Sequence, residues 1–349
     1  MGELDKVIKA LNKKYGENYI SEGVDFLDKE YKRKKLGIFA LDLAIGGGIP
    51  DRKVMMIAGK PSSGKTTTML IAIAEVQKNG GVVSLIDVEH NLDPIYAAKL
   101  GVDLKKLIYI QAVSVEQVSD TLEPLVMTGE VDLICIDSIA AAPSEKELEE
   151  SVTKGSMGGK AKVIGLMMSK LNSRLNDVNN PVKTSILILN QIREKIGVMY
   201  GSPDYTPGGT ILHHLSDIIV WLRPESEPVG GKDNPQGITT KFKVTKNRTF
   251  QPFKAGKYEL LSCRGVNNVG SIIDLAITYG IITRAGAYYQ YGETKGRGME
   301  AFKTTILKDK SIIDKLEKEV IEAYKKPSTV IDDNIDDLIV NTTNSDLEE

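Results

Sequence analysis

Three observations predict an α/β fold whose central sheet is mostly parallel and carries helices on both faces. The runs Leu133-Ile-Cys-Ile136 and Ile186-Leu-Ile-Leu189 are continuously apolar rather than alternating, as strands covered on both sides are. Short apolar runs alternate with helical patterns from Gly37 to about Leu261. One of them, Val54–Ala58, leads directly into Gly59-Lys-Pro-Ser-Ser-Gly-Lys-Thr-Thr67, which has the GxxxxGK[ST] pattern of a phosphate-binding loop between a strand and a helix.

The elements follow in order. Leu4, Val7, Ile8 and Leu11 repeat at i, i+3, i+4 and i+7, the period of an amphipathic helix. Too short to be a domain, it reads as an arm that packs its apolar stripe beyond its own neighbours, with packing on its own core as the alternative. The polar stretch Asn18 to Lys35 comes next, and its basic part, Lys29–Lys35, reads as a solvated linker. Eight apolar runs predict strands: Val54–Ala58, Val82–Asp87, Leu107–Gln111, Val131–Asp137, Thr184–Asn190, Asp217–Leu222, Thr239–Thr245 and Lys257–Leu261. Helical patterns separate the first five, which should lie parallel; the last three, joined by the turn-rich 223–237, look like antiparallel additions. From Asn267 to Lys326 a compact α+β unit is expected, with helices over Ser271–Tyr279 and Ser311–Tyr324 around AGAYYQYG. Pro327 and the acidic run after it read as a disordered tail. The expected division is thus 1–36, an arm and linker; 37–266, the main α/β unit; 267–326, a small module; and 327–349, the tail.

At 349 residues and 41% hydrophobic, the chain can bury one substantial core plus small modules. A net charge of −2 gives no hint of a polyanionic partner, but residues 330–349 hold seven acids and no Lys or Arg, leaving the rest at about +5. Two distant cysteines, Cys135 and Cys263, fit a reducing compartment better than a disulfide framework. The start MGELDKVIKALNKKYG has no apolar signal core, Lys6 stands where myristoylation wants Ser or Thr, and no segment runs 18 apolar residues without charge. These features predict a soluble cytoplasmic protein with no membrane partner.

The loop predicts a triphosphate site built from Gly59, Lys60, Pro61, Ser62, Ser63, Gly64, Lys65, Thr66 and Thr67. Its glycines let successive N–H groups point at phosphate oxygens, and the helix over Thr66–Gln77 adds its positive end. Lys65 is expected at the β- and γ-phosphates and the Thr66 hydroxyl on Mg²⁺. Asp137 closes an apolar strand, where a second Mg²⁺-anchoring carboxylate belongs. Glu89 ends up on the same sheet edge as a candidate to orient or deprotonate water, while Asp87, the last residue of its strand, reads as structural.

The strings IDVEHNLDPIYAAKLGVD (86–103), VDLICIDSIAA (131–141) and LNQIREKIGVMYGSPDYTPGG (189–209) resemble the bacterial RecA recombinase family, and the likeness extends over about 37–325 through SCRGVNNVGSIIDLAITYGII. That resemblance implies a RecA-like ATPase core. It further implies that Glu89 activates water, that Asp93 and Tyr96 hold adenine, that Gln191 senses the γ-phosphate, and that Lys246 and Arg248 reach the nucleotide of a neighbouring subunit. It implies a helical filament on single-stranded DNA with ATP between protomers, pairing with homologous duplex DNA, in recombinational repair and the SOS response to DNA damage. Single-strand-binding and loading proteins would be further partners. Two loops, Ser151–Lys160 and Ile192–Gly209, would face DNA. There Gly158, Gly159, Gly197, Gly208 and Gly209 allow close backbone approach, and Lys154, Lys160, Lys162, Arg193 and Lys195 supply charge. Met157 and Ile196 correspond to residues that separate base triplets, Arg223, Lys241 and Lys243 to a weaker second-strand site, and Lys295 and Arg297 to contacts with duplex DNA.

The chain departs from the family pattern at several positions. His213-His214 stands where Lys-Phe is typical, Ser169 replaces an arginine, and Ser262 replaces an aromatic residue that helps enclose the base. The same ATPase core also serves hexameric helicases and regulatory ATPases, and a non-hydrolysing binding module is a third reading. The loop sequences MGG and NQIREKIGVMYG favour the recombinase.

Overall fold

A computed structural model of the chain describes residues 2–16, 19–20, 31–139, 141–149, 159–177, 179, 182–194, 204–205 and 210–325. Its centre is a nine-stranded sheet. Six strands run parallel in the order Ile218–Val229, Val54–Gly59, Ser185–Gln191, Leu133–Asp137, Val83–Asp87 and Leu107–Gln111. Beyond Ile218–Val229 the sheet continues antiparallel through Gly237–Asn247, Ala255–Leu261 and Gly265–Val266.

One correction concerns the strand expected over Asp217–Leu222. Rather than joining only as an antiparallel addition, it pairs in parallel with Val54–Gly59 on one side (Ile218 opposite Met55) and antiparallel with Gly237–Asn247 on the other. An apolar run states that a strand is buried, not the direction of its partner. The turn expected over 223–237 is also shorter, because pairing persists to Pro228 opposite Ile238 and Val229 opposite Gly237, across a register irregularity after Pro224.

Alternation along the buried strands divides the core. Met55, Ile57, Leu85, Leu133 and Leu187 pack with Met69, Leu70 and Ile73 of the helix Lys65–Lys78. Val54, Met56, Ile86, Ile134 and Ile188 face the opposite way, onto the helices Val115–Met127 and Gly159–Leu175. All of these strand side chains are 2% exposed or less, so the parallel sheet is sealed on both faces.

A third apolar cluster, with Ile272, Ile273, Phe302, Leu316 and Val320, lies in the C-terminal part. There the helix Asn268–Thr278, a small sheet (Thr283–Ala285, Tyr288–Tyr291, Thr294–Arg297) and the helices Met299–Ile306 and Lys310–Lys325 pack together. This cluster is joined to the helix Phe39–Ile45 by Phe39 and Leu43 and by a reciprocal pair of bonds: Phe39 N donates to Asn268 Oδ1 (2.9 Å), and Asn268 Nδ2 donates to the Gly37 carbonyl (2.8 Å).

The basic stretch before Leu36 is not a solvated linker where it is described. Arg33 donates to the carbonyls of Ile45, Gly48 and Thr249, and Lys34 is bonded to Asp51, the Lys183 carbonyl and Ser185 Oγ. Arg33–Lys34 also pairs with Ile49–Pro50 as a short ladder. The N-terminal helix Glu3–Tyr15 buries none of its residues; Leu4 is 70% and Val7 50% exposed. The tail after Lys325 lies outside the described residues.

Candidate active site

The carboxyl ends of the parallel strands converge on the phosphate loop. Gly59 ends its strand where no side chain fits: a Cβ there would lie 2.4 Å from Ser63 Oγ and 3.0 Å from the Leu222 carbonyl. Ser62 (φ 60°) and Gly64 (φ 85°) take the left-handed conformation that turns the backbone into the helix. Thr68 Oγ1 and Tyr258 Oη, 2.9 Å apart and buried, tie that helix to the antiparallel flank.

Lys65 Nζ donates to the carbonyls of Gly59 (2.9 Å) and Lys60 (2.8 Å), so its ammonium hangs over the loop. Burial lowers its pKa, opposed by the charges of Asp137 and Glu89. Ser63 Oγ is buried and has no hydrogen-bond partner among the described residues. A cradle too tight for a Cβ, an ammonium above it and a helix N-terminus below it fit a phosphate.

Thr66 Oγ1 donates to Asp137 Oδ2 at 3.0 Å. Burial pushes the Asp137 carboxyl up to about 6, reinforced by the charges of Glu89 and Asp87; the Thr66 hydroxyl and Lys65 oppose the shift. A hydroxyl and a carboxylate side by side at the mouth of a phosphate loop are the hard oxygen donors that suit Mg²⁺.

Glu89 is held on one oxygen. Its Oε1 accepts from Ser138 Oγ (2.9 Å) and from Gln191 Nε2 (2.8 Å), and its backbone N donates to the Asp137 carbonyl (3.3 Å). The other carboxylate oxygen has no hydrogen bond among the described residues and is open to a water proton. Three neighbouring parallel strands supply this cluster, and Gln191 is the last residue of its strand.

Asp87 is 3% exposed, and its Oδ2 accepts from Leu92 N (3.1 Å) and Tyr109 Oη (2.9 Å). Asp93 caps the helix Pro94–Lys99 by accepting from Ile95 N (2.8 Å) and Tyr96 N (3.1 Å). Tyr96 Oη lies 3.0 Å from Thr67 Oγ1, which brings its ring beside the phosphate helix.

Lys246 and Arg248 are not part of this cluster. Lys246 Nζ donates to the carbonyls of His213 (2.9 Å) and His214 (2.8 Å), and Arg248 donates to His214 (3.0 Å) and approaches Asp217 (3.6 Å). Both therefore sit at the C-terminal end of the helix Thr210–Leu215, where cations are favoured. Burial and the adjacent Arg248 charge lower the Lys246 pKa.

Of the basic residues expected at DNA, Arg223 stands opposite Lys241 and Trp221 opposite Lys243 on the antiparallel pair, with Lys241 also 3.2 Å from Glu225. Register adds Lys257 opposite Lys241, an exposed cation that no sequence spacing marked. Gly159 and Lys160 begin the helix Gly159–Leu175, and Lys162 is exposed on it. Arg193 pairs with Tyr205 as backbone. Met157, Gly158, Lys195, Ile196, Gly197, Gly208 and Gly209 lie outside the described residues. Ser138 and Tyr109 were not anticipated; Ser138 had only its place beside Asp137 as a signal.

Family comparison matches the RecA N-terminal domain to residues 2–267 and the RecA C-terminal domain to residues 270–325. A Protein RecA from Chlorobaculum tepidum is 40% identical over 324 residues, covering 91% of this chain and 91% of that protein. Those of Macrococcus caseolyticus (37% over 322 residues, 92% and 90%) and Listeria innocua (36% over 328 residues, 93% and 93%) are similar over the same extent.

Proposed function

The chain belongs to the RecA family, and from that premise we propose a residue-level account of its action. The protein is a DNA-dependent ATPase and recombinase of DNA repair; it binds ATP and DNA and assembles as a filament. Among the described residues no helix is long and apolar enough to cross a membrane.

In our reading, Gly59 to Thr67 bind the triphosphate and Lys65 leaves the loop carbonyls for the β- and γ-phosphates. Mg²⁺ would be held by Thr66 and Asp137 and would neutralise charge on the phosphate oxygens. Glu89 takes a proton from the attacking water. The observation that carries this role is the convergence of Ser138 Oγ and Gln191 Nε2 on Glu89 Oε1, which fixes the carboxylate and leaves its second oxygen for water. Asp93 and Tyr96 bind the base.

Because Gln191 also opens the segment 192–209, γ-phosphate occupancy and DNA grip share one residue. Lys246 and Arg248 act on the nucleotide of the adjacent protomer, supported by their placement away from their own loop. The second-strand site comprises Arg223, Lys241 and Lys243. Single-strand-binding and loading proteins, a cytoplasmic setting, and the division at 36, 266 and 326 belong to the same proposal.

The test is to incubate the protein with ATP, Mg²⁺ and single-stranded DNA, measuring phosphate release and imaging the complexes. DNA-stimulated hydrolysis with long filaments is expected. Closed rings that unwind duplex, or no hydrolysis under any condition, would overturn the reading.

A further inference from the structure

We infer that Tyr109 is a positioning residue for nucleotide binding: its hydroxyl, acting through Asp87, sets the loop that connects Glu89 to the helix carrying Tyr96. The inference rests on the assignment of Tyr96 to the base.

Val88 to Asn91 leave the sheet edge as a short loop with His90 in the left-handed region (φ 53°). Its first end is pinned by Val88 N and Glu89 N, which donate to the Asp137 carbonyl at 2.7 and 3.3 Å. The second end is held by Asp87 Oδ2, which accepts from Leu92 N at 3.1 Å, and by the Leu92 side chain packed on the core. Next to Leu92 comes Asp93, the cap of the Tyr96 helix. Core packing of Ala97 and Leu92 seats that helix, and the direction of Asp87 Oδ2 sets how its first turn lies relative to Glu89.

Tyr109 Oη donates to this same oxygen at 2.9 Å, from the edge strand Leu107–Gln111. The register sets Asp87 opposite Gln111, so Tyr109 reaches Asp87 from two residues back along the neighbouring strand. Partial burial and the bond to Asp87 raise the hydroxyl's pKa further above working pH, where a phenol is protonated and donates in any case. Glu89 has separate anchors in Ser138, Gln191 and the Asp137 carbonyl, whereas the base side is held by the Asp87 oxygen, the Thr67–Tyr96 contact and the packing of Leu92, Tyr96 and Ala97 on the core, of which the polar contacts alone fix its direction. Loss of the hydroxyl should thus fall on substrate binding and spare the chemical step.

The experiment compares wild type with Tyr109→Phe, which keeps the ring and removes only the donor. Steady-state hydrolysis with single-stranded DNA is measured across ATP concentration, and binding of a fluorescent adenosine diphosphate is measured without DNA. A rise in KM for ATP of roughly threefold to tenfold, as for loss of one hydrogen bond, is expected, with kcat within about twofold and diphosphate affinity weakened by the same factor. Unchanged KM and diphosphate affinity in a variant with an unaltered far-UV spectrum would overturn the inference, as would a lower kcat at unchanged KM. Tyr96→Ala is the control. If it raises KM while Tyr109→Phe does not, the inference alone falls; if it leaves KM untouched, the assignment of the base site falls and takes the inference with it.

Discussion

Replacing Glu89 by Gln separates charge from geometry at the centre of the proposed chemistry. The two bonds to Oε1 come from donors, Ser138 Oγ at 2.9 Å and Gln191 Nε2 at 2.8 Å, so a glutamine that turns its carbonyl oxygen toward them retains both. Shape, anchorage and the loop are preserved, and only the proton-accepting oxygen becomes an amide. General-base catalysis is typically worth about 10²- to 10⁴-fold. Turnover should fall by that factor, or about 3–5 kcal/mol of barrier at 1.36 kcal/mol per decade. Because the Glu89 charge helps hold Asp137 up at about 6, its removal also moves the Asp137 carboxyl toward its ordinary range. Melting temperature should therefore be unchanged or raised. The assay is phosphate release with saturating ATP, Mg²⁺ and single-stranded DNA, alongside DNA binding with a non-hydrolysable analogue, which should persist. Turnover within threefold of wild type would refute the reasoning and place the water-activating group elsewhere.

Three further outcomes are expected. Gly59→Ala drives a methyl against the Leu222 backbone carbonyl, which cannot swing away, and against Ser63 Oγ, which must rotate within a fully buried site; overpacking of this kind costs about 1–3 kcal/mol, read as a lower melting temperature together with weakened ATP binding. Burial pushes Asp42 up to about 7 against the bonds it accepts from Leu36 N and Gly37 N. Its folded pKa lies above the unfolded value of 3.8, so the stability it adds is complete below about pH 4 and is lost as pH rises through about 7, by at most about 4 kcal/mol. Denaturant titrations from pH 4 to 8 should show wild type losing ground to Asp42→Asn over that window, and parallel curves would contradict the assignment. For Lys246 and Arg248, mixing an alanine variant of either with Lys65→Ala protein should restore part of the hydrolysis that each lacks alone, because intact halves of a shared site then meet; absence of any rescue would mean action within one protomer.

What the sequence made legible was the part of the site carried by strand ends. Asp137 closes an uninterrupted apolar run and Asp87 one broken only by Ser84, and burial of such a run carries its closing polar residue to one edge of the sheet; Gln191, behind Asn190, was marked only by the family resemblance. The phosphate loop was readable because its glycines answer to local backbone geometry. Contacts between residues distant in sequence left no such trace. Tyr109 reads as one more aromatic in a strand until the register brings it to Asp87. Arg33 and Lys34 look like solvated charge because nothing in a basic run announces that its donors will meet the carbonyls of Ile45, Gly48, Thr249 and Lys183. The six residues of Thr210–Leu215 are too few for a helical period to emerge, so the carbonyls that receive Lys246 and Arg248 were invisible as well.

The paired bonds between Asn268 and the Gly37–Phe39 backbone join partners 229 and 231 positions apart. During synthesis from the amino end, Phe39 and Leu43 emerge early, yet the cluster that covers them is encoded last. At ~5–20 residues per second the nascent chain presents that greasy shoulder for on the order of 10–50 s. A chain released prematurely near residue 260 would lack the cluster that covers this shoulder.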